Sequence, residues 1–251
     1  MLQTVEAAVN SERVLTYCFQ AIGVIKSCFS DKFGVPRQPG LIEAARGQLV
    51  MFPPFDREEA FEGLVDISHV WITFVFHQTN ADPARLMVRP PRLGGNEKRG
   101  VFATRSPFRP NPIGLSVVAL EGIERKGRSL VLNLAGIDMI DGTPVLDVKP
   151  YVPYADCLPE ARGGFAGEAP TAALAVEFSP AAAAALSRWR TQWPDIEQLI
   201  VGVLSLDPRP AYFKGLGRRR PFAIRLCDLD IRWEVDDDEG SVYVVEIQKK
   251  D

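Results

Sequence analysis

Apolar positions in this chain come in short runs separated by proline and glycine, and most runs have the length and alternation of strands. The clearest is Asp66–His77, DISHVWITFVFH. Alternation puts Trp71, Thr73 and Val75 on one face and Ile72, Phe74 and Phe76 on the other. Its near-continuous apolarity predicts burial of both. Tyr17–Cys28 and Gly47–Phe52 also read as strands, and Asp56 is placed to cap a brief helix through Glu62. Leu115–Ile123 and Ser129–Ile137 form a predicted pair of strands. They are joined at Arg125–Arg128, where Gly127 permits a hairpin turn. Asp141-Gly142-Thr143-Pro144 is a turn, and Val145–Val148 follows as another strand.

The pattern changes after residues 150–172, a stretch rich in proline, glycine and alanine. A strand at Leu174–Phe178 precedes Ser179-Pro180, an N-cap followed by a first-turn proline, which predicts a helix to about Thr191. Pro194-Asp195 opens a second helix to about Leu206, with Ile196, Leu199, Ile200, Val203 and Leu204 at helical spacing. Asp207–Pro210 stops it. Two strands, about 222–235 and 241–249, flank the acidic turn Asp236–Gly240. The expected fold is mainly β with a smaller α+β domain. Residues 1–16 are a loosely tethered extension, 17–156 one domain, 157–172 a linker and 173–251 the α+β domain. Alternating βα units are absent from the first domain, which argues against a doubly wound sheet. Closure into a β-barrel would protect its edge strands.

Composition narrows the function classes. With 251 residues, 46% hydrophobic and 24% charged, the chain reads as an ordinary soluble protein. Its apolar runs are too short to span a bilayer, and the N-terminus lacks the pattern of a secretory signal. Cys18, Cys28, Cys157 and Cys227 include no CxxC pair, so neither zinc nor a disulfide framework is expected, and a reducing cytoplasm is the natural setting. Neither a Gly-x-Gly-x-x-Gly turn nor a P-loop is present.

Against a formal net charge of −3, one segment stands out. Val88–Leu115 holds Arg89, Arg92, Lys98, Arg99, Arg105 and Arg109 against a single acid, Glu97. Its five prolines and four glycines exclude a helix. Pro107, Pro110 and Pro112 fix the backbone around Arg105 and Arg109, and rigid presentation lowers the ordering cost of holding an oxyanion. A shaped, arginine-lined loop follows, of the kind that binds carboxylates, phosphates or nucleic acid.

Other candidates are weaker alone. His69 fits a histidine satisfied by hydrogen bonds, whereas His77 stands at a strand end beside Gln78. Asp138, Asp141 and Asp147 lie close together in sequence. Asp141 either makes a plain turn or grips a ligand. In Pro36–Gly40, Gln38 offers donor and acceptor and Gly40 allows close backbone approach. A second basic cluster runs through Arg209, Lys214, Arg218, Arg219 and Arg220. Tyr212 and Phe213 lie within it as possible stacking platforms for bases. The alternative for that cluster is a solvated loop.

Five segments, PRQPGL at 36–41, SHVWITFVFHQT at 68–79, RPPRLGGN at 89–96, GVFATRSPFRPNPIGLS at 100–116 and DGTPVLDVKPYVPYAD at 141–156, together resemble the TsaA-like (TrmO) family, and DPRPAYFKG at 207–215 resembles its C-terminal signature. The resemblance implies an S-adenosylmethionine-dependent tRNA methyltransferase acting on N6 of threonylcarbamoyladenosine, at position 37 just 3′ of the anticodon. It implies a β-barrel methyltransferase domain rather than a Rossmann sheet, and a homodimer; no metal is expected, because His69 and His77 have no third ligand at a suitable spacing. Carried over by motif, the cofactor contacts are Gln38, Pro39, Gly40, His77, Gln78, Arg105, Leu115, Asp141, Gly142, Thr143 and Pro144. Arg89, Arg92, Arg109, Lys214, Arg218, Arg219 and Arg220 are the candidates for holding the tRNA anticodon arm. Asp138, Asp141 and His77 are candidates to take the proton. Two other classes compete on the residues alone: a non-enzymatic RNA-binding barrel, and a phosphate enzyme using the same arginines.

Overall fold

The computed structural model describes residues 4–9, 12–80, 82, 84–210, 213 and 220–250. The chain opens with β1 (Thr4–Val9) and β2 (Glu12–Tyr17), paired antiparallel. The expected extension thus contains two paired strands, and that pairing satisfies backbone polar groups within the segment.

Six strands then close a barrel: β3 (Gly23–Ser27), β4 (Arg46–Met51), β5 (His69–Val75), β8 (Ile113–Lys126), β9 (Ser129–Ala135) and β10 (Pro144–Pro150), in the order β10-β3-β4-β9-β8-β5. Every neighbouring pair is antiparallel. Between β5 and β8 lies a two-stranded ribbon, β6 (Met87–Val88) with β7 (Arg99–Gly100). The strand predicted at Tyr17–Cys28 begins only at Gly23, where the backbone of Gly23 lies against Val50 and Met51 of β4 too closely for a side chain. Asp56 caps nothing. A short 3-10 turn at Glu58–Phe61 has Arg57 in the cap position, with no side-chain cap bond.

Alternation along β5 buries Val70, Ile72 and Phe74 in the barrel and leaves Trp71, Thr73 and Val75 half-buried. The expected burial of both faces is thus corrected: the second face is the barrel's outer wall. Trp71 is held there by Asp156 (3.0 Å) and lies near the Tyr151 ring.

Beyond β10, a one-turn helix α1 (Pro153–Asp156) leads toward a mixed sheet. The sheet joins β11 (Ala175–Phe178), β12 (Pro221–Leu226), β13 (Leu229–Asp236) and β14 (Ser241–Lys249) in the order β11-β14-β13-β12. Helices α2 (Pro180–Trp189) and α3 (Ile196–Ser205) accompany it. Ser179 caps α2 as read, accepting from the Ala182 N–H at 3.0 Å. The single strand expected over 222–235 is two strands. The chain reverses at Cys227-Asp228, where Cys227 takes φ +56° and its N–H donates to the Cys28 carbonyl at 2.7 Å.

That bond belongs to a wider seam. A side chain at Gly34 would collide with Ile224, and one at Gly202 would meet Ile42 at 2.8 Å. The barrel interior and the C-terminal sheet share one continuous apolar core. Among the described residues, no helix is long and apolar enough to cross a membrane.

Candidate active site at the barrel mouth

Antiparallel order forces three connections out of the same end of the barrel: residues 28–45 between β3 and β4, 76–112 between β5 and β8, and 136–143 between β9 and β10. Nearly every residue carried over for the cofactor lies in one of them. Pro144 opens β10, and Leu115 sits one residue outside the barrel lining on β8, facing outward and 53% exposed.

The three connections are tied together. The Gly40 N–H donates to the Gly136 carbonyl at 2.8 Å, joining the first to the third. Gly136 has φ +70°, and a Cβ there would sit 3.2 Å from the Gly40 Cα, so glycine is required on both counts. Arg105 donates from Nη1 to Gln38 Oε1, joining the second to the first. Lys32 reaches across to the Gln78 carbonyl. Pro39 is half-buried beside these contacts.

The turn at 141–144 is fixed onto β3. The Asp141 and Gly142 N–H groups donate to the carbonyls of Phe29 and Ile25, both at 2.8 Å. The Ile25 N–H donates to the Thr143 carbonyl at 2.9 Å, and the buried Thr143 hydroxyl donates to Ile140 at 2.7 Å. One Asp141 carboxylate oxygen accepts from the Ser27 N–H at 2.9 Å, and the other lies 3.7 Å from Lys26 Nζ. The first contact ties the turn to β3, and the second is an exposed ion pair. Gly142, at φ +79°, leaves the His77 ring beside the backbone, with Nε2 3.9 Å from where a Cβ would stand.

Asp138 is in a different situation. The Ser116 hydroxyl, on the inner face of β8, donates to its Oδ1 at 2.7 Å. Among the described residues no other side chain bonds this carboxylate, and the residue's own backbone N–H also points to it. Burial pushes the carboxyl up to about 6, opposed by the Ser116 hydrogen bond and by the nearby positive charge of Arg105. A half-buried carboxyl at the barrel mouth, shifted toward neutrality, is a candidate functional group. The sequence reading passed over Ser116. The available signal was a lone hydroxyl between Gly114 and Val118 on the inward positions of a barrel strand.

The arginines divide. Arg89, Arg92 and Arg105 are exposed and Arg109 is half-buried, all in the 76–112 connection. Arg109 donates to the Thr104 carbonyl at 3.2 Å and Arg92 to the Glu168 carbonyl. In the C-terminal cluster, Lys214, Arg218, Arg219 and Tyr212 lie outside the described residues. Arg220 stands with its guanidinium 6.0 Å from the Phe213 ring centre. Phe213 itself packs edge-on against Phe222, with ring centres 5.7 Å apart, and Phe222 stacks on Trp233, so its ring serves the sheet's core. Arg209 also leaves the RNA-binding cluster. It is 3% exposed and bonds Asp207 at 2.8 Å and Asp237 at 2.7 Å. His69 pairs with the Ser68 hydroxyl at 3.0 Å, away from this mouth.

Comparisons with known proteins agree with this arrangement. The profile of the tRNA-methyltransferase O N-terminal domain matches residues 24–157, and that of the TrmO C-terminal domain matches 171–250. The chain is 46% identical over 231 residues to the tRNA (adenine(37)-N6)-methyltransferase of Escherichia coli strain K12, covering 92% of this chain and 98% of that one. It is 54% identical over 221 residues to a putative S-adenosylmethionine-dependent methyltransferase of Pseudomonas aeruginosa, covering 87% of this chain and 93% of the relative. A crystal structure of TrmO from P. aeruginosa superposes with a TM-score of 0.78 at 42% identity, covering 96% of this chain and all of that one. A closed barrel with a tied, arginine-bearing mouth, matched over both parts of its length, therefore makes this chain a member of the tRNA-methyltransferase O family, an enzyme of the methyltransferase class.

Proposed function

We propose that this chain is a cytoplasmic enzyme that transfers a methyl group from S-adenosylmethionine to N6 of adenine 37 in tRNA, taking the threonylcarbamoyl-modified adenine as its substrate. The observation that carries this reading is the convergence of Gln38, Arg105, Asp138 and the 141–144 turn at one barrel mouth, in a chain of this family. The relatives' names supply the reaction, and the mouth supplies groups suited to it.

The donor set fits the cofactor. Arg105 is exposed and held by a neutral amide rather than an acid, so its charge remains available for a carboxylate. Nothing lies within 4 Å of a side-chain position at Gly40, leaving its backbone approachable. Gln38, Pro39, Gly40, His77, Gln78, Arg105, Leu115 and Asp141–Pro144 would hold S-adenosylmethionine. When bound, it supplies a methyl carbon made electrophilic by its sulfonium sulfur.

This chain's residues then have two tasks. The first is alignment, since in-line displacement requires nucleophile, methyl carbon and leaving sulfur on one axis, and positioning is a large catalytic effect. The hydrogen bonds that lock the three connections together serve that task. The second is the proton. An exocyclic N6–H is barely acidic, so it leaves as the N–C bond forms and the C–S bond breaks. Asp138 is the acceptor we favour, because its carboxyl is shifted up to about 6 and bonds only one other side chain, Ser116, whereas Asp141 is tied to β3 through the Ser27 N–H and faces Lys26. Arg89, Arg92 and Arg109, with Lys214 and Arg218, Arg219 and Arg220 from the C-terminal part, are the proposed contacts to the anticodon arm. A homodimer is part of the same proposal. It is supported by Ile113 and Leu115, apolar and exposed on the outer wall of the barrel.

Calorimetry with S-adenosylmethionine, S-adenosylhomocysteine and ATP, followed by methyl transfer to tRNA with and without the threonylcarbamoyl group, tests the reading. Binding of the first two ligands and methylation of the modified tRNA support it. ATP binding alone points to a phosphate enzyme, and RNA binding without any cofactor to a passive RNA module.

A further inference from the structure

The arginine-bearing connection also carries aromatic side chains that no part of the mechanism uses. Phe102 is 75% exposed and Phe108 44% exposed. Large aromatics ordinarily bury most of their surface, and two of them open to solvent in one strongly basic loop offer flat apolar faces beside positive charge. Both are presented rigidly. Phe102 sits in a 3-10 turn, Val101–Ala103, beside Val101, which is fully buried and whose N–H donates to the Leu86 carbonyl at 2.9 Å. The Thr104 hydroxyl closes that turn onto the Val101 carbonyl at 2.8 Å. Phe108 lies between Pro107 and Arg109, its N–H donating to the Ser106 hydroxyl at 3.2 Å, with the Arg85 guanidinium 5.9 Å from its ring centre.

The chemistry around the rings identifies the partner. Arg89, Arg92, Arg105 and Arg109 belong to the same segment, which holds six basic residues and one acid. An apolar protein partner would gain little from so many unneutralised guanidinium groups. A single-stranded nucleic acid uses both features at once, placing phosphates on the arginines and the flat faces of its bases on the aromatic rings. We propose that Phe102 and Phe108 form a base-stacking platform on which unpaired loop nucleotides of the RNA substrate rest, beside the barrel mouth that receives the target adenine. Of the aromatics in the C-terminal basic cluster, Phe213 is engaged with Phe222 and Tyr212 lies outside the described residues. The proposal rests on the tRNA reading above and specifies which residues read the loop.

The test uses the full-length protein and an anticodon stem-loop RNA with 2-aminopurine at unpaired loop positions, in the parent and in the variants Phe102→Ala, Phe108→Ala, Phe102→Trp and Phe102→Leu. In the parent, binding should quench the 2-aminopurine fluorescence. Each alanine variant should weaken RNA binding roughly tenfold, the usual worth of one stacked base, and lose the quench at one position. The salt dependence of binding should keep its slope, because no charge is removed. Tryptophan should restore both signals and leucine should not, which separates stacking from simple packing. S-adenosylmethionine affinity by calorimetry, and mass by light scattering, should match the parent and so show that the variants are folded. If the parent binds RNA and both alanine variants bind it equally well, the platform is wrong while the tRNA reading stands. If the parent binds no RNA, both fail. If the alanine variants change the oligomeric mass instead, the rings face a second copy of the chain and the proposal is overturned.

Discussion

Arginines of the barrel mouth and arginines of the C-terminal sheet have opposite surroundings. Beside the sheet, in the loop after α3, Arg209 is buried between Asp207 and Asp237; on the strands Arg225 pairs with Asp230 at 2.8 Å, and Arg232 with Glu246 at 3.2 Å. At the mouth, Arg105 is held by the Gln38 amide, and Arg92 and Arg109 by backbone carbonyls. Arg99 is the exception, paired with Glu97 at 2.7 Å. The sheet spends its arginines on neutralising its own acids. The mouth orients its arginines with neutral acceptors, which fix the geometry and leave the charge. Groups kept for an anionic ligand look like the second set, and counting arginines in the sequence does not distinguish the two.

The largest test of that contrast is Arg209→Ala. It takes the guanidinium away from two carboxylates, of which Asp207 is buried, and removing one partner of such a network costs about 3–5 kcal/mol. Denaturant unfolding should show that loss. A change below about 1 kcal/mol would mean that the sheet's network is no tighter than a surface pair.

Next comes Asp138→Asn, which keeps the acceptor for Ser116 but removes the charge. Methyl transfer should fall about 100-fold or more, the usual worth of a positioned acid or base, with S-adenosylmethionine affinity unchanged. In the parent the carboxyl must be ionised to accept a proton. Activity should therefore decline as pH falls through about 6, and the variant should lack that limb. Stability runs the other way. A carboxyl raised in the folded state favours folding below its ordinary value near 3.8 and loses that contribution as pH rises toward about 6. At pH 7.5 the asparagine variant should thus be more stable, by up to about 3 kcal/mol. A variant that loses both activity and stability at that pH would make Asp138 a structural group.

Arg105→Ala should weaken S-adenosylmethionine binding by roughly 1.5–3 kcal/mol, the scale of a charged hydrogen bond. Stability should stay within about 0.5 kcal/mol, in contrast to Arg209. Loss of its charge should also move the acid limb of the pH profile upward, because Arg105 helps keep Asp138 ionised. Unchanged affinity would remove Arg105 from the pocket. The smallest effect belongs to Arg232→Ala, an exposed pair on the sheet, which should cost less than about 1 kcal/mol and leave tRNA binding alone. A loss of tRNA affinity there would extend the RNA surface onto the sheet.

Much of this site was legible in the chain, for identifiable reasons. Alternation in Asp66–His77 gave the correct division of β5 into two faces, because side-chain direction in a strand is set locally. Proline spacing marked the 88–115 segment as a rigid loop, since proline restricts its own backbone wherever it stands. Ser179-Pro180 announced α2 through a capping bond that closes within four residues. Where the reading failed, the deciding contact was distant or depended on burial. The turn at Cys227 is stabilised by a hydrogen bond to Cys28, and the outer wall of β5 is half-covered because of what the barrel places beside it.

The sequence by itself determined the main barrel strands such as β5, which loop concentrates positive charge, and to which family the motifs belong. Those follow from local backbone preference and from residue identity. Only the tertiary structure decided that three loops share one end of the barrel, because that depends on β9 pairing with both β4 and β8. It also separated Asp138 from Asp141, two acids three positions apart in one turn. One meets a hydroxyl from 22 residues away across the barrel and is pushed toward neutrality by burial, while the other is tied to the neighbouring strand by the Ser27 N–H and faces Lys26. A carboxylate's reactivity is set by its partners and its burial, and both come into being only when the chain closes on itself.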